Sequence, residues 1–475
     1  MPPDLALLIG AGLVYYAFRS ARKRGVNSPP GLFWPTLWYL VVASRMIGLW
    51  FEAWGLPLPG SNGDATSGSL VDALFFLVLT IVGLVILLRR HFDWGAALRF
   101  NPWIFALLAF MALSILWSGY PFVSFKRYIK VLGSVTMALV VLTNGQPLES
   151  IFTVLRRCLY VHLPMSLVCI KYFRDIGVEY DYNGTSYAWH GISTSKNDLG
   201  QVAMLGVLYF TFDITRHWRQ FGWRNFDVLY LLLAVYLLKG SEQQVSMTSV
   251  SVCAFALLVF WRLRALRSNL QSARRWVLGV FYVTLCLVTF ILIHSVVFFS
   301  ENSIFGKVIT MLGRDITLTG RTDIWHDVYG VASSNPLFGV GYGGFWIGRL
   351  ANIQWDANLS WVLGQAHNGY IDTYLQIGLI GSALLAGVLF TTMRRLLASM
   401  DEDFDFACFR ITVFLTVIFV NSTETTYLRG DHHLWFIMLL VVWMVPQTDR
   451  VLPKRTRENI DAAERADVEV PEISR

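Results

Sequence analysis

Arg321 and His367 are the two side chains of this sequence best suited to chemistry on a charged ester. Arg321 lies in Leu318-Thr319-Gly320-Arg321-Thr322-Asp323-Ile324-Trp325, with Arg314 close before it. A guanidinium offers rigid bidentate donors to phosphate, so two of them close together suit an anion. His367 follows Gln365-Ala366 and precedes Asn368-Gly369-Tyr370. An imidazole titrates near working pH, which fits it for general base work. On a helix starting there, His367, Tyr370 and Tyr374 share one face. Each residue also has a plainer reading: Arg321 as a solvated charge, His367 as a polar cap.

A shorter polar stretch, Tyr187 to Gly200, holds His190 and Lys196. These are either juxtamembrane charge or a second contact for the same anion. Gly339-Val340-Gly341-Tyr342-Gly343-Gly344 superficially resembles a phosphate-binding glycine loop. A dinucleotide fold would need a preceding strand and a βαβ unit, and neither fits its surroundings. The segment reads instead as tight turns that bring Arg321 toward His367. Trp325, Tyr342, Trp346, Trp355 and Trp361 offer stacking faces to a sugar. No outer cluster of Asp, Glu or His has metal-ligand spacing. The nearest exception is His432-His433 beside Asp431, and adjacent residues seldom point to one ion. Neither a metal nor a cofactor is expected. The five cysteines lie in apolar runs without a CxxC pair, so they read as core thiols without disulfides.

These groups must be positioned by membrane helices. Of 475 residues, 55% are hydrophobic and 15% charged, against about a quarter charged in soluble domains. Mean hydropathy is +0.50. The fold class expected is an all-α integral membrane protein with 12–13 transmembrane helices and one long extracytoplasmic loop. The spans fall near 4–18, 31–55, 70–88, 102–119, 128–143, 151–170, 199–213, 226–239, 245–261, 276–298, 370–392, 406–421 and 433–446. Residues 1–298 thus carry ten helices, 299–369 a catalytic loop, 370–446 three more helices, and 447–475 a solvated, disordered tail. A loop of roughly 70 residues is uncommon unless functional or disordered. This one is rich in Trp, Tyr and Gly, which favours a folded working element.

Alternate loops differ in charge. Arg19 to Arg24, Arg89 to Arg99, Arg156/Arg157, Arg216 to Arg224, Arg262 to Arg275 and Arg394/Arg395 crowd short loops. Basic residues in the other loops are sparser. By the positive-inside rule the first set is cytoplasmic, and the long loop faces the periplasm or exterior. With 13 spans the N-terminus is outside and the tail inside. The Met-Pro-Pro-Asp start has no basic n-region, so no cleaved signal peptide is expected. Arg45 and Arg410 lie within apolar runs. Arg45 calls for a structural partner, and Arg410 sits near a cytoplasmic end where it could snorkel. The hydroxyls of Ser246, Thr248, Ser249 and Ser251 suit close helix packing. The net charge of +7 is scattered over short loops, which excludes a nucleic-acid surface. A transporter or flippase would show midplane charges and repeated halves, and no repeat is visible. A scaffold of an envelope complex would tolerate loss of Arg321 and His367.

Three motifs together resemble the O-antigen ligase and exopolysaccharide polymerase family. They are Gly320-Arg321 with Trp325, Pro336-Leu337-Phe338-Gly339-Val340-Gly341-Tyr342-Gly343, and His367-Asn368 with Tyr370, Leu375, Gly378 and Gly381. Weaker likeness runs through Trp117-Ser118, Pro121, Arg127, Trp189-His190-Gly191, Lys196-Asn197, and Asn421 with Glu424, so that residues 70–445 are covered. The resemblance implies a metal-independent bacterial inner-membrane glycosyltransferase with its site facing the periplasm. It would take a glycan from a polyprenyl-diphosphate carrier and pass it to a sugar, lipid or protein acceptor, with envelope polysaccharide assembly proteins as further partners. It implies that Arg321 contacts the diphosphate and that His367 is the essential histidine, with Arg314, Asn368, Tyr370 and Trp325 around the substrate. Many ligases carry an Arg in the shorter loop where this chain has His190. The Trp-x-Gly…Lys-Asn pattern is closer to the exopolysaccharide polymerase branch, with Lys196 the first choice for a second diphosphate ligand.

Overall fold

An apolar run in lipid can satisfy its backbone only as a helix or a closed barrel, and this chain takes the first route. The computed structural model describes residues 1–23, 31–56, 69–180, 187–217, 226–240, 247–297, 321–347 and 364–443. The expected Arg314, Trp355, Trp361, Ser246 and tail 447–475 lie outside them. The helices are α1 (Pro3–Lys23), α2 (Phe33–Ala43), α3 (Ile47–Ala53), α4 (Leu70–Arg89), α5 (Trp94–Phe100), α6 (Pro102–Ser114), α7 (Pro121–Leu142), α8 (Pro147–Tyr172) and α9 (Arg174–Gly177). A short antiparallel hairpin follows, β1 (Val178–Tyr180) and β2 (Tyr187–Trp189), with Val178 opposite Trp189. Then come α10 (Lys196–Arg216), α11 (Phe226–Gly240), α12 (Met247–Ala265), α13 (Leu270–Val297), α14 (Arg321–Ala332), α15 (Gly369–Ala398), α16 (Phe404–Val420) and α17 (His433–Val442).

Local sequence sets the helix starts. Proline opens α6, α7 and α8, where its missing N–H costs nothing. The side chains of Ser69, Asp93, Ser195 and Asp403 accept from backbone N–H groups in the first turns of α4, α5, α10 and α16. The protein is a multi-pass helical membrane protein. Each of the thirteen expected segments coincides with a helix, although among the described residues only α1, α4, α8, α13 and α15 are individually long and apolar enough to cross. The bent pair α5–α6, turned through 101°, adds a sixth. The segment near 31–55 is not one continuous span. It breaks between α2 and α3, where Arg45 donates to the carbonyl of Ile176 at 2.6 Å and that of Ser193 at 3.4 Å.

The interior is built around α8, whose apolar window is 78% buried against 22% for α1. It packs on α1, α2, α10 and α11, while α16 meets α12, α13, α15 and α17. Ion pairs tie the members of the denser basic set together. Arg216 meets Glu149 at 2.7 Å, Arg264 and Arg267 share Asp405 at 3.6 and 3.7 Å, and Arg274 pairs with Asp401. Arg410 does not snorkel. It is buried, donates to the carbonyl of Val441 and lies over the Phe406 ring. The last carbonyls of α17 lack helical partners, and the guanidinium supplies one.

Candidate active site

The carboxylate of Glu424 gathers the two residues expected to do chemistry. Glu424 lies between α16 and α17 and is 6% exposed. Its Oε1 accepts from Arg321 Nη2 at 2.7 Å and from Asn197 Nδ2 at 2.9 Å. Its Oε2 meets His367 Nδ1 at 3.2 Å. Arg321 Nη1 also donates to the carbonyl of Thr423 at 2.5 Å. Burial pushes the Glu424 carboxyl up, but the His367 hydrogen bond and the Arg321 charge outweigh it. The group therefore sits below the ordinary carboxylate range and is ionised.

Each member is fixed by its own element. Arg321 opens α14, which packs on α15. Trp325, one turn later, donates its indole N–H to the carbonyl of Ala366 at 2.7 Å. That bond anchors the segment just before His367. The His367 backbone has φ +50, a left-handed conformation that costs a non-glycine residue of order 1–3 kcal/mol. Asn368 then caps α15, its Oδ1 accepting from the N–H groups of Tyr370 and Ile371. Its Nδ2 donates to the carbonyl of Ser422 at 3.1 Å, which binds the start of α15 to the Glu424 loop. Asn368 is fully buried and so acts as a cap beneath the site. Tyr370 donates its hydroxyl to the carbonyl of Ile418 at 2.9 Å, fastening α15 to α16.

The glycine segment supports α15 from below. Gly378 has φ +63 and interrupts α15. The break frees the carbonyls of Leu375 and Gln376, which accept from the N–H groups of Val340 and Gly341, both at 2.9 Å. A side chain at Gly341 would place its Cβ 2.5 Å from the Cα of Ser118. The tight turns expected here are present, and they dock on α7 and α15. Rings expected to offer stacking faces are instead interior. Trp325, Tyr342 and Trp346 are 2%, 4% and 6% exposed. Trp346 donates to Asp372 and Tyr342 to the carbonyl of Leu428. A buried Trp or Tyr must find a partner for its N–H or O–H, and these have used theirs.

The shorter polar stretch splits in two. His190 is buried beside Arg45, with its Nδ1 3.1 Å from Arg45 Nη2. Burial and the Arg45 charge lower its pKa, so it is neutral and holds the hairpin rather than offering a cation. Lys196 begins α10 next to Asn197 and is half-buried. Among the described residues it makes no hydrogen bond, and its neighbour Asn197 is the one that donates to Glu424, at 2.9 Å. Glu424, Asn197, Gln365 and Arg429 join the site without having been expected there as working residues. Arg429 Nη1 donates to Gln365 Oε1 at 2.9 Å, and Gln365 Nε2 lies 3.4 Å from His367 Nδ1.

His432 and His433 approach a carboxylate, but that of Asp198 rather than Asp431, with His432 Nε2 3.5 Å from Asp198 Oδ1. The two imidazoles stack at 4.6 Å with planes 20° apart. Lone pairs lie in the ring planes, so nearly parallel rings do not converge on one ion. His432 Nδ1 also accepts from the Leu434 N–H at 3.2 Å. The geometry favours a hydrogen bond between His432 and Asp198 over a metal centre.

The site thus places a buried carboxylate against an imidazole and a guanidinium on a many-helix membrane scaffold. Residues 229–386 match the family model described as O-antigen ligase. That stretch holds Arg321 and His367 and ends before Glu424. The chain is also similar to the exopolysaccharide production protein ExoQ of Rhizobium meliloti (strain 1021), with 28% identity over 351 residues, 70% of this chain and 75% of the relative. Both matches bear out the family resemblance drawn from the motifs, and they support a membrane ligase- or polymerase-like function.

Proposed function

We propose that the protein is a polyprenyl-diphosphate-dependent glycan polymerase working on the outer face of the bacterial inner membrane. The observation that carries this reading is the Arg321–Glu424–His367 cluster. If His367 donates its Nδ1–H to the ionised Glu424, Nε2 keeps its lone pair. Nε2 can then take the proton of a sugar hydroxyl. Arg321 spends two of its five N–H donors on Glu424 and Thr423. The remaining donors face the charge that develops on a leaving diphosphate.

In the step proposed, the acceptor oxygen bonds to the anomeric carbon of the donor glycan. The bond from that carbon to the diphosphate oxygen breaks. The proton passes to His367, and the polyprenyl diphosphate departs with the bonding pair. A diphosphate is already a good leaving group and needs cations rather than an acid. Arg321 supplies one and Lys196 is a second candidate. The polyprenyl chain lies among the helices. Similarity to an exopolysaccharide production protein favours polymerisation over transfer to a lipid core.

The test is transfer itself. The purified full-length protein with a carrier-linked repeat should yield longer carrier-linked chains. A product made only when a lipid-core acceptor is present would make it a ligase. Orientation is tested separately by alkaline phosphatase fused near residue 330, which should be active. An inactive phosphatase in a stable fusion would reverse the topology.

A further inference from the structure

The end of α15 remote from His367 carries polar groups that glycan transfer does not use. From Gly369 to Arg395 the helix rises by up to about 40 Å at 1.5 Å per residue, so Arg395 lies at the opposite membrane face from Glu424. There α5 and α6 turn through 101° at Asn101, and the elbow packs on α15. The end of α17 forms the third side, with the Trp443 ring centre 5.2 Å from that of Phe105. The cleft between these helices holds about 200 Å³ of empty space, part of it open to the surface. Asn101, Trp103, Thr391, Thr392, Arg395 and Val442 line it, and none of the described residues lining it is acidic.

The fold does not use up the polar side chains in this cleft. Arg395 Nη1 donates to Asn101 Oδ1 at 3.3 Å, which leaves four of the five guanidinium N–H donors. Among the described residues Arg395 meets no carboxylate, whereas Arg216, Arg264, Arg267 and Arg274 of the same basic set are all paired. Thr392 is 3% exposed and makes no hydrogen bond among the described residues. Thr373 on the same helix donates to the carbonyl four residues back, as do Thr412 and Thr416 on α16. A hydroxyl buried without a partner is costly, so an acceptor that enters the cleft is favoured. Trp103 and Ile104, in the first turn of α6, border it too, and that helix start has no capping side chain. Free N–H groups at a helix start favour an anion. The carbonyl of Val441, at the end of α17, is already taken by Arg410.

The surroundings place the cleft at the depth of lipid headgroups. α5 exposes Trp94, Leu98 and Phe100 beside Arg99, as a short helix lying in the interface does. Trp103 is 44% exposed and lies over Gly387, where a Cβ would come 2.3 Å from its ring. Such rings mark the boundary between membrane and water. Arg89 to Arg99 and Arg394/Arg395 both belong to the loops denser in arginine. The positive-inside rule puts those loops in the cytoplasm, where the leaflet is negatively charged.

We propose that this elbow is a binding site for an anionic phospholipid of the cytoplasmic leaflet. Arg395, Thr392 and the start of α6 hold the phosphate ester, and the exposed part of Trp103 lies against the acyl chains. The lipid fastens α6 to α15 at the face remote from the reaction. The assignment does not depend on which glycan is transferred.

Binding to the full-length protein, stripped of lipid in an uncharged detergent, tests this. Dioctanoyl phosphatidylglycerol should bind about 10-fold or more tightly than dioctanoyl phosphatidylcholine, whose choline cation cancels the phosphate charge. Arg395→Gln should weaken binding by about 10-fold and Thr392→Val by about threefold, as expected for a charged and a neutral hydrogen bond. Arg394→Gln removes an exposed charge next in sequence and should change little. Equal binding of the two lipids, affinity unchanged in both Arg395→Gln and Thr392→Val, or an equal loss in Arg394→Gln overturns the proposal. Inorganic phosphate that binds as tightly as the lipid makes this a site for a soluble anion and contradicts it too. A photoreactive phosphatidylglycerol on the wild-type protein gives a readout that needs no variant to fold. Its crosslinks should fall in α5, in the first turn of α6 or in the last turns of α15, and crosslinks confined to other segments contradict the site.

Discussion

His367 Nδ1 lies 3.2 Å from Glu424 Oε2, across 57 residues of sequence. Glu424 is held ionised by Arg321 and by this imidazole. An anion beside Nδ1 stabilises the imidazolium that forms when Nε2 takes a proton. It also selects the tautomer in which Nε2 is the base.

Glu424→Gln should therefore lower the rate by about 10²-fold, within the range that general base catalysis contributes. The depressed carboxyl also has a stability consequence. Its contribution is fully present above the ordinary carboxylate range and is lost as pH falls through the lower folded value. Acid unfolding followed by tryptophan fluorescence should begin at higher pH in wild type than in Glu424→Gln once the two are normalised at pH 7. Identical acid curves and an unchanged rate would make Glu424 a bystander.

Arg321→Ala should nearly abolish transfer while the protein still inserts, with a loss on the order of 10²–10³ for one electrostatic donor. Arg321→Lys should recover little, since an ammonium cannot donate to Glu424, Thr423 and a diphosphate with one planar fork. Polysaccharide output at the wild-type level from a normally expressed Arg321→Ala protein would reduce this residue to a surface charge.

Transfer should persist in EDTA. The stacked His432 and His433 rings do not converge on an ion, and the Glu424 carboxylate is already filled by Arg321, Asn197 and His367. Activity that stops with chelator and returns with Mg²⁺ or Mn²⁺ would contradict this.

Arg321 and His367 were legible because each sits in a contiguous motif whose neighbours, Trp325 and Asn368, carry part of the signal. The helices were legible because apolar runs of sufficient length have few alternatives in lipid. Glu424 and Asn197 were not legible as members of this cluster. They stand 227 residues apart, Asn197 in the first turn of α10 and Glu424 between α16 and α17, and a lone polar residue at a helix end looks the same whether it caps, solvates or works. Glu424 did follow Asn421-Ser422-Thr423 between two apolar segments, where an acid could have drawn notice. Trp325 and Trp346 misled because composition cannot separate a ring that stacks on sugar from one whose indole N–H is spent on Ala366 or Asp372. The break at Arg45 was hidden for a similar reason. Its partners, Ile176 and Ser193, are more than 130 residues away.

The central claim is a division of labour: His367 takes the acceptor's proton, and Arg321 holds the diphosphate. Carrier binding and single-turnover transfer, measured together for His367→Ala and Arg321→Ala with one carrier-linked oligosaccharide, test it most directly. His367→Ala should bind the carrier nearly as wild type does and turn over about 10²–10⁴-fold more slowly. Arg321→Ala should lose both binding and turnover, because the diphosphate is charged before the reaction begins. If His367→Ala loses carrier affinity as Arg321→Ala does, and His367→Gln keeps the acid limb of the wild-type profile, the histidine is a phosphate ligand and the division fails.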